Sequence, residues 1–403
     1  MKVRSFNQFF LMTLEDAKRY AVEVLHFFDS TDGLDVIEIG DGNINYVFKV
    51  WCPKTGRSVI IKQADTLLRS SGRPLDQNRN NIEAKILQFE GKYAPRYVPE
   101  VYHHDRIMAA TSMEDVSAYK NLRTELAENR VYPHLAENIS DFLAQVLLPS
   151  TDLVMDKFEK KKLVGEFINP ELCDITENLV LTDPYDDRRE KNRVTEGNEE
   201  FVKAFLYQDE ELHAEVGKLR ERFMNYAQSM LHGDLHSGSI FANVDGIKVL
   251  DPEFAFYGPM GYDIGNVIGN LFFTWANKVF TQPENQEVQQ QLAGCIQEIC
   301  DLTRRKMEEK YIELVKDKLY AAESFRKAYL DSVMADSYGY AGTEIIRRTV
   351  GVSKVMELAS VTDPAVKLPM ERALIKLGIY LIKHREQNLD GGRLVKQFRL
   401  ILA

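Results

Sequence analysis

The sequence predicts an α+β protein with two lobes, an N-terminal antiparallel β-sheet lobe and a larger, mainly helical C-terminal lobe. Three observations carry this. The chain has 403 residues, more than one ordinary core encloses. Short apolar runs of strand character, separated by turn residues, cluster near the N-terminus. Beyond Asn121 the apolar residues recur mainly at helical spacing. We place the boundary so that residues 1–115 form the first lobe and 116–403 the second, with a ligand expected in the cleft between them.

Taken in order, Thr13 can cap a helix whose apolar face is Leu14, Ala17, Ala21, Val24, Leu25 and Phe28. Three strands follow, Val36–Ile39, Tyr46–Trp51 and Ser58–Lys62, joined by Gly40-Asp41-Gly42-Asn43 and Pro53-Lys54-Thr55-Gly56. Residues 64–76, with their Ser, Gly, Arg and Pro, read as a mobile loop, and Asn81 as the cap of the next helix. Arg106–Ser112 reads as another strand. Helices are expected over Leu122–Asn129, Ile139–Leu148 and Glu199–Met230, and from Ile264 onward, where Glu344–Leu358 and Pro369–His384 are clearest. Asp183–Asn198 is charged and polar and reads as an exposed insertion. Ile240-Phe241 and Ile247–Leu250 read as a short hairpin among the helices.

Composition narrows the function. The hydrophobic share is 44%, the charged share 28% and the formal net charge -10, an acidic surface ill suited to nucleic acid or anionic lipid. Cys52, Cys173, Cys295 and Cys300 lack C-x-x-C spacing, so neither a zinc site nor a redox pair is read from them. The first residues show no signal-peptide h-region, and no stretch of about 18 uninterrupted apolar residues occurs. A cytoplasmic protein is expected.

Gly40-Asp41-Gly42-Asn43-Ile44-Asn45-Tyr46-Val47 places glycines at a strand-to-strand turn, where backbone amides can approach phosphate oxygens. Alone it also describes an ordinary hairpin turn, and the strand after it disfavours a dinucleotide-binding unit, which needs a helix there. Lys62 ends the strand Val59-Ile60-Ile61-Lys62, and Glu83 on the next helix is its natural ion-pair partner. The decisive stretch is Leu231-His232-Gly233-Asp234-Leu235-His236-Ser237-Gly238-Ser239, followed seventeen residues after Asp234 by Asp251-Pro252-Glu253. Two carboxylate sites around a short hairpin suit phosphoryl transfer, one accepting an alcohol proton and the other holding Mg²⁺ against the phosphates.

His232-Gly233-Asp234-Leu235-His236 with the downstream Asp251 resembles the aminoglycoside phosphotransferase and choline kinase superfamily, which has a protein-kinase-like fold. The resemblance implies ATP and Mg²⁺ as cofactors and Asp234 as catalytic base. Gly40, Asp41, Gly42, Asn43, Asn45, Lys62 and Glu83 would serve the ATP phosphates. Met113-Glu114-Asp115-Val116 falls at the hinge, so the backbone of Glu114 and Val116 would meet adenine, with Asp263 supporting the catalytic loop.

Two departures point to one branch. Ser239 stands where the superfamily places a metal-binding Asn, and Asp251-Pro252-Glu253 replaces D-x-D or D-F-G. Asp251 and Glu253 are therefore expected to hold the metal, with Ser239 a weaker candidate ligand. With Gly261-Tyr262-Asp263-Ile264-Gly265-Asn266, these features are similar to the 5-methylthioribose kinases of methionine salvage. On spacing alone Arg347-Arg348 reads as a solvated helix face; the resemblance makes the pair, with Asp234, the binding site for the sugar. It also implies a homodimer acting on the anomeric hydroxyl. Homoserine, fructosamine or aminoglycoside kinases are the neighbouring readings, and an ATP-binding scaffold without catalysis stands behind them.

Overall fold

The computed structural model describes residues 4–39, 45–66, 78–387 and 390–403. The chain divides into two compact units. One comprises Met1–Tyr119 and returns for Lys248–Glu253, and the other comprises Lys120–Ile247 and Phe254–Ala403.

The first unit is built on a five-stranded antiparallel sheet. Its strands are β1 (Asp35–Glu38), β2 (Asn45–Trp51), β3 (Ser58–Ala64), β4 (Val101–Asp105) and β5 (Ala110–Met113), in the order β1-β2-β3-β5-β4. Its helices are α1 (Leu14–Glu23) and α2 (Asn78–Tyr93). Thr13 starts α1 through a capping box in which its hydroxyl accepts from Asp16 N–H while the Asp16 carboxylate accepts from Thr13 N–H. Ala17, Tyr20 and Ala21 bury their face of α1 with Phe48, Val50, Val59 and Ile61 of the sheet. At about 1.5–3 kcal/mol for each fully buried large apolar side chain, this cluster anchors the strand that carries Lys62.

Several expectations change in detail. Helix α1 ends at Glu23, yet Val24, Leu25 and Phe28 still pack on the same core from the loop. Helix α2 is already formed at Asn78, so Asn81 lies inside it rather than at its cap. The strand expected over Arg106–Ser112 is a turn followed by β5. The Asp105 carboxylate accepts from the N–H groups of Ile107 and Met108, and Ala109 takes a positive φ of 47°. Apolar side chains in that turn mimic a strand pattern, while β4, with its two histidines, hides one.

The second unit is mainly helical, and the α+β class expected from the sequence holds. The helix expected over Glu199–Met230 is interrupted. Asp209 caps a fresh helix, Glu210–Asn225, and Ser229–Leu231 is a strand paired with Phe256–Gly258. The segment 183–198 is not simply exposed, because Asp183, Tyr185, Asn192 and Asn198 are buried in it. There Arg189 pairs with Asp183, and Asn198 donates to Glu371.

Two long helices govern the site. Gly261–Thr281 and Glu323–Val350 approach so closely that a Cβ on Gly265 would lie 2.5 Å from Ser337 O and 2.7 Å from Ala341 N. Glycines at 261, 265 and 269 form the seam along which these helices touch. The contact fixes the start of one helix, with Asp263, against the other, which ends in Arg347-Arg348. Among the described residues no helix is long and apolar enough to cross a membrane.

Candidate active site

The candidate residues fall into two groups, one in each unit. In the first unit β3 presents Lys62 and α2 presents Glu83, 2.6 Å apart. The Lys62 ammonium also lies 2.5 Å from Asp251 Oδ1. Burial alone would lower the lysine's pKa, but Asp251, Glu83 and Glu253 outweigh it and hold the ammonium charged. Burial raises the Glu83 carboxyl even with Lys62 beside it. Asp251 adopts a φ of 61°, a left-handed conformation costing roughly 1–3 kcal/mol in a non-glycine residue. Its side chain is 54% exposed, whereas Glu253 is buried and pushed up to about 7 by desolvation.

Arg79 joins this group one helical turn before Glu83. Its guanidinium lies 3.8 Å from Glu253, and donates to Asn45 Oδ1 at 3.2 Å and Asp65 O at 3.1 Å. Arg79 carries no motif of its own in the sequence; its only signal is the i−4 spacing to Glu83, which puts both on one helix face. Gly40, Asp41, Gly42 and Asn43, and the loop segment 67–74, lie outside the described residues. The Glu114 carboxylate is paired with Lys248, and its N–H donates to Glu100 O, while the Val116 carbonyl accepts from Tyr119 N–H.

Among the described residues, three carboxylates, Glu83, Asp251 and Glu253, thus gather around two cations, Lys62 and Arg79, an oxygen-rich donor set that suits a hard cation. Among the described residues no three His, Cys, Asp or Glu side chains converge as a finished metal cluster. Asp251 and Glu253 fit Mg²⁺ on the pattern of few protein carboxylates completed by phosphate oxygens and water.

In the second unit the loop 232–239 carries Asp234. Gly233 has φ 84°, and a Cβ there would come within 2.2 Å of Phe254 O, so only glycine fits. The Asp263 carboxylate accepts from His232 N–H at 2.7 Å and Gly233 N–H at 3.0 Å, gripping the loop from behind. Burial pushes the Asp263 carboxyl up to about 7 despite those two donors. His236 accepts through Nδ1 from the N–H groups of Gly238 and Ser239, at 3.0 and 3.1 Å. The proton of the neutral ring therefore sits on Nε2, 3.4 Å from Asp234 Oδ2. Burial pushes His236 down to about 4, so it is neutral at physiological pH. The Ser239 hydroxyl donates to Asp234 O at 2.9 Å, within the loop's own backbone.

Arg348 and Arg347 come within 3.9 and 4.0 Å of Asp234 Oδ1. Burial alone would raise the Asp234 carboxyl; His236, Arg348 and Arg347 outweigh it and hold it below the ordinary value. Since His236 is itself neutral near pH 7, the two guanidinium groups supply the standing charge there. Both arginines turn inward although they are successive on the helix, because Glu344 collects them. Its Oε2 accepts from Arg347 Nε at 2.5 Å and its Oε1 from Arg348 Nε at 3.0 Å. Glu344 is 1% exposed, and the arginine pair outweighs burial to hold it down at about 2. Glu344 is not among the residues expected from the sequence; its signal there is the i−3 and i−4 spacing to the two arginines.

Residues 35–294 match the phosphotransferase enzyme family. The methylthioribose kinase of Geobacillus thermodenitrificans is 38% identical over 386 residues, 94% of this chain and 94% of that one. That of Geobacillus sp. strain WCH70 is 38% identical over 87% of this chain and 86% of its own. That of Erwinia tasmaniensis is 34% identical over 98% of this chain and 99% of its own. Among solved structures, choline kinase from Cryptosporidium parvum superposes with a TM-score of 0.48 at 10% identity, covering 96% of this chain and 98% of that one.

Proposed function

We propose that this chain, which belongs to the methylthioribose kinases within the phosphotransferase enzyme family, moves the γ-phosphoryl group of ATP to the anomeric hydroxyl of 5-methylthioribose. The observation that carries the substrate side is the pair Arg347 and Arg348 within 4.0 Å of Asp234. Two guanidinium groups beside the acceptor carboxylate favour a neutral polyol and repel cationic aminoglycosides or choline.

In this reading Asp234 takes the proton of the sugar hydroxyl as its oxygen attacks the γ-phosphorus and the bond to ADP breaks. A carboxylate held below its ordinary pKa is ionised at neutral pH and so ready to accept. It is a weak base, but the proton leaves late in a loose transition state, so its position counts for more than its basicity. Arg347 and Arg348 hold ring hydroxyls and steady the equatorial oxygens of the transferring group. Lys62, kept charged and aimed by Glu83, meets the nucleotide phosphates with Asn45 and the glycines at 40 and 42, alongside Asp41 and Asn43. The backbone at Glu114 and Val116 receives adenine.

Asp251 and Glu253 would hold Mg²⁺, which when bound neutralises charge on the β- and γ-phosphates. The engagement of the Ser239 hydroxyl with Asp234 O favours a loop-shaping role over a metal contact for that residue. Asp263 positions the loop.

A panel of alcohols supplied with ATP and scored by ADP release tests the reading. Strong selectivity for methylthioribose is expected, and equal rates with ribose or homoserine would refute it.

A further inference from the structure

The two arginines are not set by Glu344 alone. Glu344 Oε1 also accepts from Asn270 Nδ2 at 3.1 Å, and the same amide nitrogen donates to Asn266 O at 2.9 Å. The Asn270 oxygen accepts from Arg123, whose terminal nitrogen lies 2.8 Å away. Arg123 Nε donates to Ser237 Oγ at 3.1 Å, and Arg123 N–H donates to Ser237 O at 3.2 Å. Ser237 lies in the same loop as Asp234, to which Arg347 and Arg348 return. The polar contacts therefore close a ring: loop, Arg123, Asn270, Glu344, the arginine pair, and the loop again.

We infer that Asn270 and Arg123 are positioning residues of the sugar site, registering the arginine pair against the loop that carries Asp234; this rests on the function proposed above. Asn270 is 1% exposed and sits inside the helix Gly261–Thr281. A buried amide there must donate on one side, to a carboxylate, and accept on the other, from a guanidinium. Only a side chain with both capacities at that length does this. Aspartate would face Glu344 with a second negative charge, and alanine would remove one hydrogen-bond partner from each of Glu344 and Arg123. Arg123 also lies 3.8 Å from Glu357, which holds its far side. None of these groups is assigned to touch the sugar, so their effect on it must pass through Arg347, Arg348 and the loop.

The test is Asn270→Asp, measured by calorimetric titration of methylthioribose without nucleotide, of ATP without sugar, and by steady-state kinetics. Displacing a positioned group by about an ångström costs up to about a hundredfold in rate, and losing a hydrogen bond to a charged group costs about tenfold or more in affinity. We expect sugar affinity to fall about tenfold to a hundredfold while ATP affinity changes less than about twofold. Arg123→Gln, at the more accessible edge of the ring, should give the same split and stands in if Asn270→Asp fails to fold. Unchanged sugar affinity in a folded variant, or equal loss for sugar and ATP, overturns the inference. A wild-type protein that binds no methylthioribose refutes the substrate assignment instead, and is recognised before any variant is made.

Discussion

Replacing Glu344 with glutamine removes one negative charge from a site where it accepts from two guanidinium groups and an amide. The folded Glu344 carboxyl sits at about 2 against an ordinary 4.5, a difference equivalent to about 3 kcal/mol. That agrees with the about 3–5 kcal/mol lost when one partner of a buried ion pair is removed. The sign follows from the depressed pKa. Wild-type stabilisation is full above 4.5, declines as pH falls through the window from 4.5 to 2, and is about 1 kcal/mol smaller at pH 4 than at pH 7. Urea unfolding followed by tryptophan emission reads this, because the chain has two tryptophans. A Trp51→Phe background leaves Trp275, buried in the helix Gly261–Thr281, as reporter of the second unit. Glu344→Gln should lower stability by about 3 kcal/mol at pH 7 and by less at pH 4. Sugar affinity should fall at least about tenfold, since freed arginines turn to Asp234. Equal unfolding curves at both pH values, together with unchanged sugar affinity, would refute this account of Glu344.

Asp234→Asn should keep ATP and sugar binding within a few-fold while turnover falls by several orders of magnitude; rapid-quench detection of substantial phosphoryl transfer would remove it as base. Lys62→Met should weaken ATP binding at least about tenfold and leave sugar binding unchanged, by separate titrations; unaltered ATP affinity would free Lys62 of its assigned role. Gly233→Ala forces a Cβ to 2.2 Å from Phe254 O at φ 84°, so expression of a stable, fully active variant would show the loop to be less constrained than described.

The strands β2 and β3 were legible because alternating apolar residues between turn signals leave few other readings. The Lys62 and Glu83 pair was legible from the order of elements, and the distance of 2.6 Å bears out their proximity. The turn 106–109 was misread because Ile107 and Met108 look strand-like, while the Asp105 side chain that makes the turn carries no apolar signal. The break after Tyr207 was hidden because helix-forming residues lie on both sides, and only the cap Asp209 marks it. Arg79, Glu344, Asn270 and Arg123 escape notice because their significance lies in partners 34 to 174 residues away or in convergence on a third group. Helical spacing announces a pair, but not whether it faces water or a buried neighbour.

The return of Lys248–Glu253 to the first unit has a consequence for synthesis. Val249 N–H donates to Tyr97 O and Lys248 reaches Val98 O and Glu114, so this short stretch completes a unit whose other residues precede position 120. At about 5–20 residues per second, a ribosome needs roughly 7–27 s to travel from there to Glu253. For that interval the nascent unit carries Lys62 and Glu83 without the aspartate that also pairs with the lysine. A fragment ending near residue 119 would hold the same incomplete state indefinitely, so splitting the gene at that point separates the lysine from one of its carboxylates.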